Sequence, residues 1–316
     1  MTTKAPARSL RPSYLQRLWK NIKQHRGIYL MLIPVLIYYI IFNYAPMYGA
    51  QIAFRNFRST RQGITGAPWV GLKNFETFFN GVYATRLIRN TLLLNVLNLI
   101  FGFPAPIILA LLLNELRNQR FKKVVQTISY LPHFISMVVI CGMIKDFLAT
   151  DGVITTMISA IVGHDLPNLL TNKDYYRAIY VISDIWQGVG WGAIIYIAAL
   201  AGIDQQLYEA ASIDGAGKWR QMLNVTLPGI LPTIMIMLIL RIGNMMSLGY
   251  EKTLLLYNEG IYETSDIIST YVYRAGLLGN QKGLASAVDL MNSFVNLILL
   301  FSANFVSRKV SGSSLW

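Results

Sequence analysis

The sequence predicts an all-α membrane protein with six spanning helices, and three observations lead there. Only 14% of the 316 residues are charged while 54% are hydrophobic, against roughly a quarter charged in an ordinary soluble chain. Six apolar runs approach the roughly 17–25 residues that cross a ~30 Å hydrocarbon core. The Lys and Arg residues are dense in alternate connections and sparse in the others, which gives the topology. Length alone suggests two soluble domains, but the helices of a large soluble core would be shorter and would carry polar faces.

Taken in order, the chain opens with a basic arm, residues 1–27, holding Lys4, Arg8, Arg11, Arg17, Lys20, Lys23 and Arg26 and no acid. Its second half sets Tyr14, Leu15, Leu18, Trp19 and Ile22 among these cations, the pattern of an amphipathic helix on the inner leaflet. The apolar runs follow at 28–45, 91–113, 124–144, 178–201, 229–248 and 284–306, within one membrane domain, 28–306. The first is followed by no small-residue cleavage pattern, so the arm is expected to stay attached. Arg117, Arg120, Lys122 and Lys123 mark the second connection as cytoplasmic, Lys218 and Arg220 mark the fourth, and Arg308 and Lys309 mark the tail, 307–316. Both termini are therefore expected in the cytoplasm. With Glu115, Asp204, Glu209 and Asp214 counted, that side carries nearly all of the +13 net charge, so the basicity is topological and no nucleic-acid partner is implied.

The long connections 46–90, 145–177 and 249–283 fall outside. They contain Trp69-Val70-Gly71-Leu72 and Leu254-Leu255-Leu256-Tyr257, which predict packed subdomains offering surface to a partner. Cys141 is the single cysteine, so there is no disulfide framework and no cysteine metal site. His25, His133 and His164 lack the H-E-x-x-H spacing, so no metal is expected. No Walker A loop is present: Gly217-Lys218 is followed by Trp219, and Ser212 stands where the first glycine belongs.

The most informative segment is 203–228. Asp204 is placed to cap a short helix, and Asp214-Gly215 supplies its stop, with glycine at the left-handed position. A second short helix is expected after the turn, closed by Leu227-Pro228 and Leu231-Pro232 as the fifth span begins. Physics alone is equally content with a plain connection here. A resemblance decides: Glu209-Ala210-Ala211, then Gly215, then Val225-x-Leu227-Pro228 resemble the EAA loop of bacterial ABC importer permeases, with Val225 in place of Ile as the one departure. Pro46-Met47-Tyr48-Gly49, Trp69 to Phe75, Leu131-Pro132-His133-Phe134-Ile135-Ser136 and Tyr271-Val272-Tyr273-Arg274 are similar to carbohydrate-uptake permeases, nearest the alginate-type branch.

That resemblance implies a type I ABC importer permease in the bacterial inner membrane. It implies that Glu209, Ala210, Ala211, Asp214, Gly215, Leu227 and Pro228 seat on a partner ATPase. It further implies two such ATPase subunits binding ATP and Mg, a second and related permease chain, a solute-binding protein on the outer face, and an oligo- or polysaccharide substrate, acidic ones included. The chain itself is expected to hold no cofactor and to be no enzyme.

Polar residues inside spans usually face a bundle interior or a watery cavity. Asp184, Gln187 and Trp191, with Trp186 and Tyr196, lie in the fourth run; Arg241, Asn244, Met245 and Leu248 in the fifth; Asp289, Asn292, Ser293 and Asn296 on one face of the sixth; and Thr91, Asn95, Asn98 and Gly102 in the second. At 1.5 Å per residue, Arg241, Asp184 and Asp289 come to similar depths, roughly 7–11 Å below the outer interface, and are expected to be able to meet. Two roles stay open for each stripe, locking the bundle or lining a substrate path. Trp186, Trp191, Tyr196, Asn244 and Asn292 are the candidate sugar contacts. An ion-coupled secondary sugar transporter is the alternative, with Asp184 or Asp289 as its ion site, but no inverted repeat supports it.

Overall fold

The structure is a computed structural model and describes residues 14–58, 63–247, 249–312 and 314–315, with the side chains of 14–18, 310 and 311 outside the description. Lys4, Arg8, Arg11 and Leu248 therefore lie outside the described residues, as do the side chains of Tyr14, Leu15, Arg17 and Leu18. The chain divides into two compact units, Met1–Gln51 and Ile52–Trp316. In the first, a helix at Tyr14–Gln24 precedes the helical run that starts at Arg26. Its residues 26–48 are exposed, an apolar surface suited to lipid.

Five helices are long and apolar enough to cross a membrane: Arg26–Phe54, Ala84–Glu115, Lys173–Ala201, Lys218–Gly243 and Lys282–Lys309. They are called the first, second, fourth, fifth and sixth spans. The third apolar run is not a straight span. It forms two helices, Gln119–Phe134 and Met137–Phe147, bent by 101°. The break has a local cause: a 3₁₀ turn runs over Leu131–Phe134 with Pro132 in it, Ile135 is extended, and the Ser136 side chain caps the next helix by accepting from the Val139 N–H at 3.4 Å. Counted as one, the pair makes a sixth crossing.

Other prolines leave their helices continuous. A π-helical turn stands just before each of three of them: Ile40–Tyr44 before Pro46, Asn98–Gly102 before Pro104, and Met222–Thr226 before Pro228. The carbonyl four residues before each proline, which a proline cannot serve, then falls in the wider turn. Leu227-Pro228 accordingly does not close a separate helix, contrary to the sequence expectation, and the fifth span runs unbroken from Lys218.

In the second unit, helix ends gather at two poles. Arg86–Asp266 at 3.0 Å and Lys173–Glu263 at 2.7 Å hold the starts of the second and fourth spans to the segment 257–274; this is the loop end. Lys218–Glu115 at 3.7 Å joins the end of the second span to the start of the fifth at the opposite pole. Connection 249–283 is packed, as its composition predicts. Leu256, Ile261 and Ile267 bury with Tyr176 and Tyr180 of the fourth span and Leu94 of the second, while Ile268 joins Leu87, Leu284 and Val288. A third core, with Ile107, Ala110, Ala193, Tyr196, Leu200 and Ile230, binds the second, fourth and fifth spans further along.

Gly190 sets one of these distances. A Cβ there would collide with the Ser129 carbonyl, so the helix Gln119–Phe134 rides directly on the backbone of the fourth span. Gly190→Ala is expected to part the two helices and cost about 1–3 kcal/mol, read as a lowered thermal unfolding midpoint in detergent. A wild-type midpoint would show that the contact is not required.

Candidate functional site

Two places in the second unit carry chemistry. At the pole opposite the loop end, Asp204 accepts from the Gln206 N–H at 3.0 Å and starts the helix Gln205–Ile213. Gly215, at φ +74°, ends it. The Gly215 N–H donates to Ser212 O at 3.1 Å and the Ala216 N–H to Ala211 O at 2.9 Å, the paired bonds of a Schellman stop. The return is tied back: the Gln221 side-chain amide donates to Ser212 Oγ and to Ala216 O, both at 2.9 Å, and Tyr208 and Thr226 share a hydroxyl hydrogen bond at 3.0 Å. The outward side remains free. Glu209 and Ala210 are exposed, and so are Leu207, Trp219 and above all Ile213, at 86%. Asp214 occupies the C-cap, and Leu227 and Pro228 lie in the following span. A rigid short helix with an apolar, unpartnered tip is suited to seating in another protein.

The second place is a polar cavity of about 220 Å³ between the second, fourth and fifth spans and the helix Tyr250–Leu256, lined by Asn98, Tyr180, Asp184, Arg241, Asn244 and Lys252, with Glu251 also at its wall. Asp184 is its centre. It accepts from the Asn98 amide at 2.7 Å and lies 3.5 Å from Lys252 Nζ and 3.9 Å from Arg241 Nη2. The Lys252 side chain is almost wholly buried. It also donates to Tyr180 O at 3.1 Å, and its ammonium lies 4.6 Å from the Tyr180 ring centroid. Burial pushes its pKa down, and Asp184 opposes that shift.

Asp184 and Arg241 do meet, but Asp289 does not join them: it is exposed and makes no ion pair or hydrogen bond among the described residues. The other candidates separate by surroundings. Asn292 and Asn296 hold the end of the fifth span, through Met246 O, the Met246 N–H and Ser247 Oγ, each at 2.8 Å. Tyr196 is buried in the third core. Trp191 stacks on His133 at 4.5 Å between centroids and meets Phe134 edge-on, which seats it at the bend of the broken pair. Trp186 lines a separate apolar groove of about 660 Å³ with Phe147, Ile158 and Ile179, while Gln187 is half-buried and Asn244 is exposed at the polar cavity.

Lys252 was not legible, because it belongs to a connection that the Lys and Arg distribution places outside the spans. The same holds for Asp266 at the loop end. It is wholly buried and accepts from Arg274 twice at 2.8 Å, from Thr270 at 2.9 Å and from Arg86 at 3.0 Å. Burial alone would lower the Arg274 pKa, but the Asp266 bonds and charge reverse this and raise it. Asn90 ties in as well, donating to Glu263 O and Asp266 O. The one available signal was Arg274, in the motif Tyr271-Val272-Tyr273-Arg274.

Comparison with known proteins agrees over nearly the whole chain. It is 42% identical over 301 residues to the polygalacturonan/rhamnogalacturonan transport system permease protein YteP of Bacillus subtilis (strain 168), covering 95% of this chain and 94% of that one. It superposes at a TM-score of 0.86 and 42% identity on a chain of a bacterial ABC transporter involved in the import of the acidic polysaccharide alginate, covering 93% and 99% of the two chains. A second structure, the bacterial alginate ABC transporter in complex with an alginate pentasaccharide-bound periplasmic protein, matches at the same TM-score over 95% and 100%. The family described as the binding-protein-dependent transport system inner membrane component matches residues 102–312. Five long apolar helices and a bent pair, an exposed short helix at one pole and these likenesses have one reading: the chain belongs to that family, as an inner-membrane permease subunit of an ABC importer, and such subunits are not themselves enzymes.

Proposed function

We propose that this chain is one of two related, non-identical membrane subunits that import an acidic oligo- or polysaccharide. Two ATPase subunits bind ATP and Mg on the cytoplasmic side, where both termini lie, and a solute-binding protein delivers the sugar to the loop end. The observation that carries this reading is the Gln205–Ile213 helix with its exposed Leu207 and Ile213, beside the exposed Trp219 that follows the turn, here the element through which ATP-driven closure is felt. Closure stabilises one of two arrangements of the spans over the other, so access alternates. The acidic class is supported by the cargo of the relatives and by the cations Arg241 and Lys252 sharing Asp184 in the polar cavity.

Affinity capture of the tagged chain from membranes is expected to bring down the ATPase subunits. Ile213→Glu places a charge in an apolar seat, and it is expected to lower their recovery about tenfold while the second permease stays bound. Uptake that follows an ion gradient and needs no ATPase chain would overturn the reading.

A further inference from the structure

At the loop end, cations outnumber the carboxylates available to them. Arg86 and Arg274 both bind Asp266, and Lys173 binds Glu263. Lys173 holds the Glu263 carboxyl below the usual range, with smaller contributions from Arg89 and Arg177. Those last two guanidiniums have no carboxylate of their own. Arg89, one turn after Arg86, is exposed and forms no hydrogen bond or ion pair among the described residues. Arg177 has one bond, from Nη2 to the neutral Asn90 Oδ1 at 3.1 Å, and its Nε is buried without a partner. Asp174, one turn before Arg177, is the further acid nearby; it too is exposed. With it counted, five cations face three acids.

Aromatic faces flank this excess. Arg86 lies 5.0 Å over Tyr83 and Arg274 4.9 Å over Tyr262, which itself packs 5.0 Å from Tyr257. A guanidinium matches a carboxylate with two parallel N–H bonds, and an aromatic face accepts the apolar side of a sugar ring. Uronate residues carry both features. Behind them Asn90 is wholly buried and fixes the Arg177 guanidinium through its 3.1 Å bond.

We propose that Arg89 and Arg177 form an anion site at the loop-end mouth of this subunit, which receives a carboxylate of an acidic sugar before it enters the bundle. The site rests on the acidic-oligosaccharide reading given above and places its first contact about two helical turns, roughly 10 Å along the fourth span, on the loop side of the cavity around Asp184. Its exposed charges also steer anions from solution, an effect that salt screens.

The test uses the complete transporter in nanodiscs, titrated with an oligogalacturonate and with its neutral methyl ester. Arg89→Gln leaves buried contacts untouched; it is expected to weaken binding of the acid about tenfold and to leave the ester unchanged, while Arg89→Lys keeps most of the affinity. Binding of the acid is expected to fall with added salt. Wild-type affinity in Arg89→Gln, or equal binding of acid and ester by the wild type, overturns the site. So does weakened capture of the sugar-free binding protein with the acid-to-ester ratio intact, which would make Arg89 a protein-docking contact. A transporter that imports the acid by ATP hydrolysis yet ignores Arg89→Gln refutes this site alone and leaves the importer reading standing.

Discussion

Gly215→Val is expected to abolish coupling while leaving the protein inserted in normal amounts. Gly215 adopts φ +74° with open space where a Cβ would stand, so the cost is conformational. An L residue in this region loses about 1–2 kcal/mol, and a β-branched one more. The loop has an easy escape, because leaving the left-handed region breaks the bonds from Gly215 to Ser212 and from Ala216 to Ala211. The Gln221 bonds to Ser212 and Ala216 then lose their partners, and the exposed tip at Ile213 changes direction. Sugar uptake and substrate-stimulated ATPase activity are expected to fall at least about tenfold. The series should order as Gly, Asn, Ala, Val, since asparagine tolerates this conformation better than other side chains. Full uptake and full stimulation in the valine variant would remove the loop from the coupling mechanism.

The largest loss of stability is expected from Asp266→Ala. Its carboxylate is the shared acceptor of two arginines and Thr270 with no exposure to solvent. Removing it leaves two guanidiniums facing each other in a partly buried space, for a cost of about 3–5 kcal/mol. The segment 257–274 is pinned to the second span through this group, so the variant is expected to unfold at lower temperature and to expose the loop end to protease first. Pairing Asp266→Leu with Arg274→Met removes charge of both signs and is expected to recover part of the loss. A single variant with unchanged thermal midpoint and unchanged proteolysis would show that Arg86 and Arg274 find other partners.

The sequence reads best where a feature is local. The spans follow from apolar length, and the turn at Asp214-Gly215 follows from the backbone freedom of one residue. The Asp184–Arg241 meeting followed from depth, since two positions in neighbouring spans need only a common height. Depth did not bring Asp289 in, because height says nothing of the face a helix presents, and Asp289 faces outward. The bend in the third run was hidden by an ambiguity of proline. Pro132 breaks its helix, whereas Pro104 and Pro228, each preceded by a π-helical turn, and Pro34 and Pro232 do not. Least legible was the Asp266 network, whose partner Arg86 stands 180 positions away, a separation over which no local pattern links two residues.

The unbroken fifth span has a mechanical meaning. Twenty-six residues, Lys218–Gly243, make a stiff rod of about 39 Å. Trp219 is near one tip and Arg241 near the other, so a tilt imposed at the first is delivered at the second with no relay of side chains between them. The π-helical turn over Met222–Thr226 lies within the first turns of the rod, so its irregular backbone stands near the Trp219 tip and away from the length that carries Arg241 past Asp184.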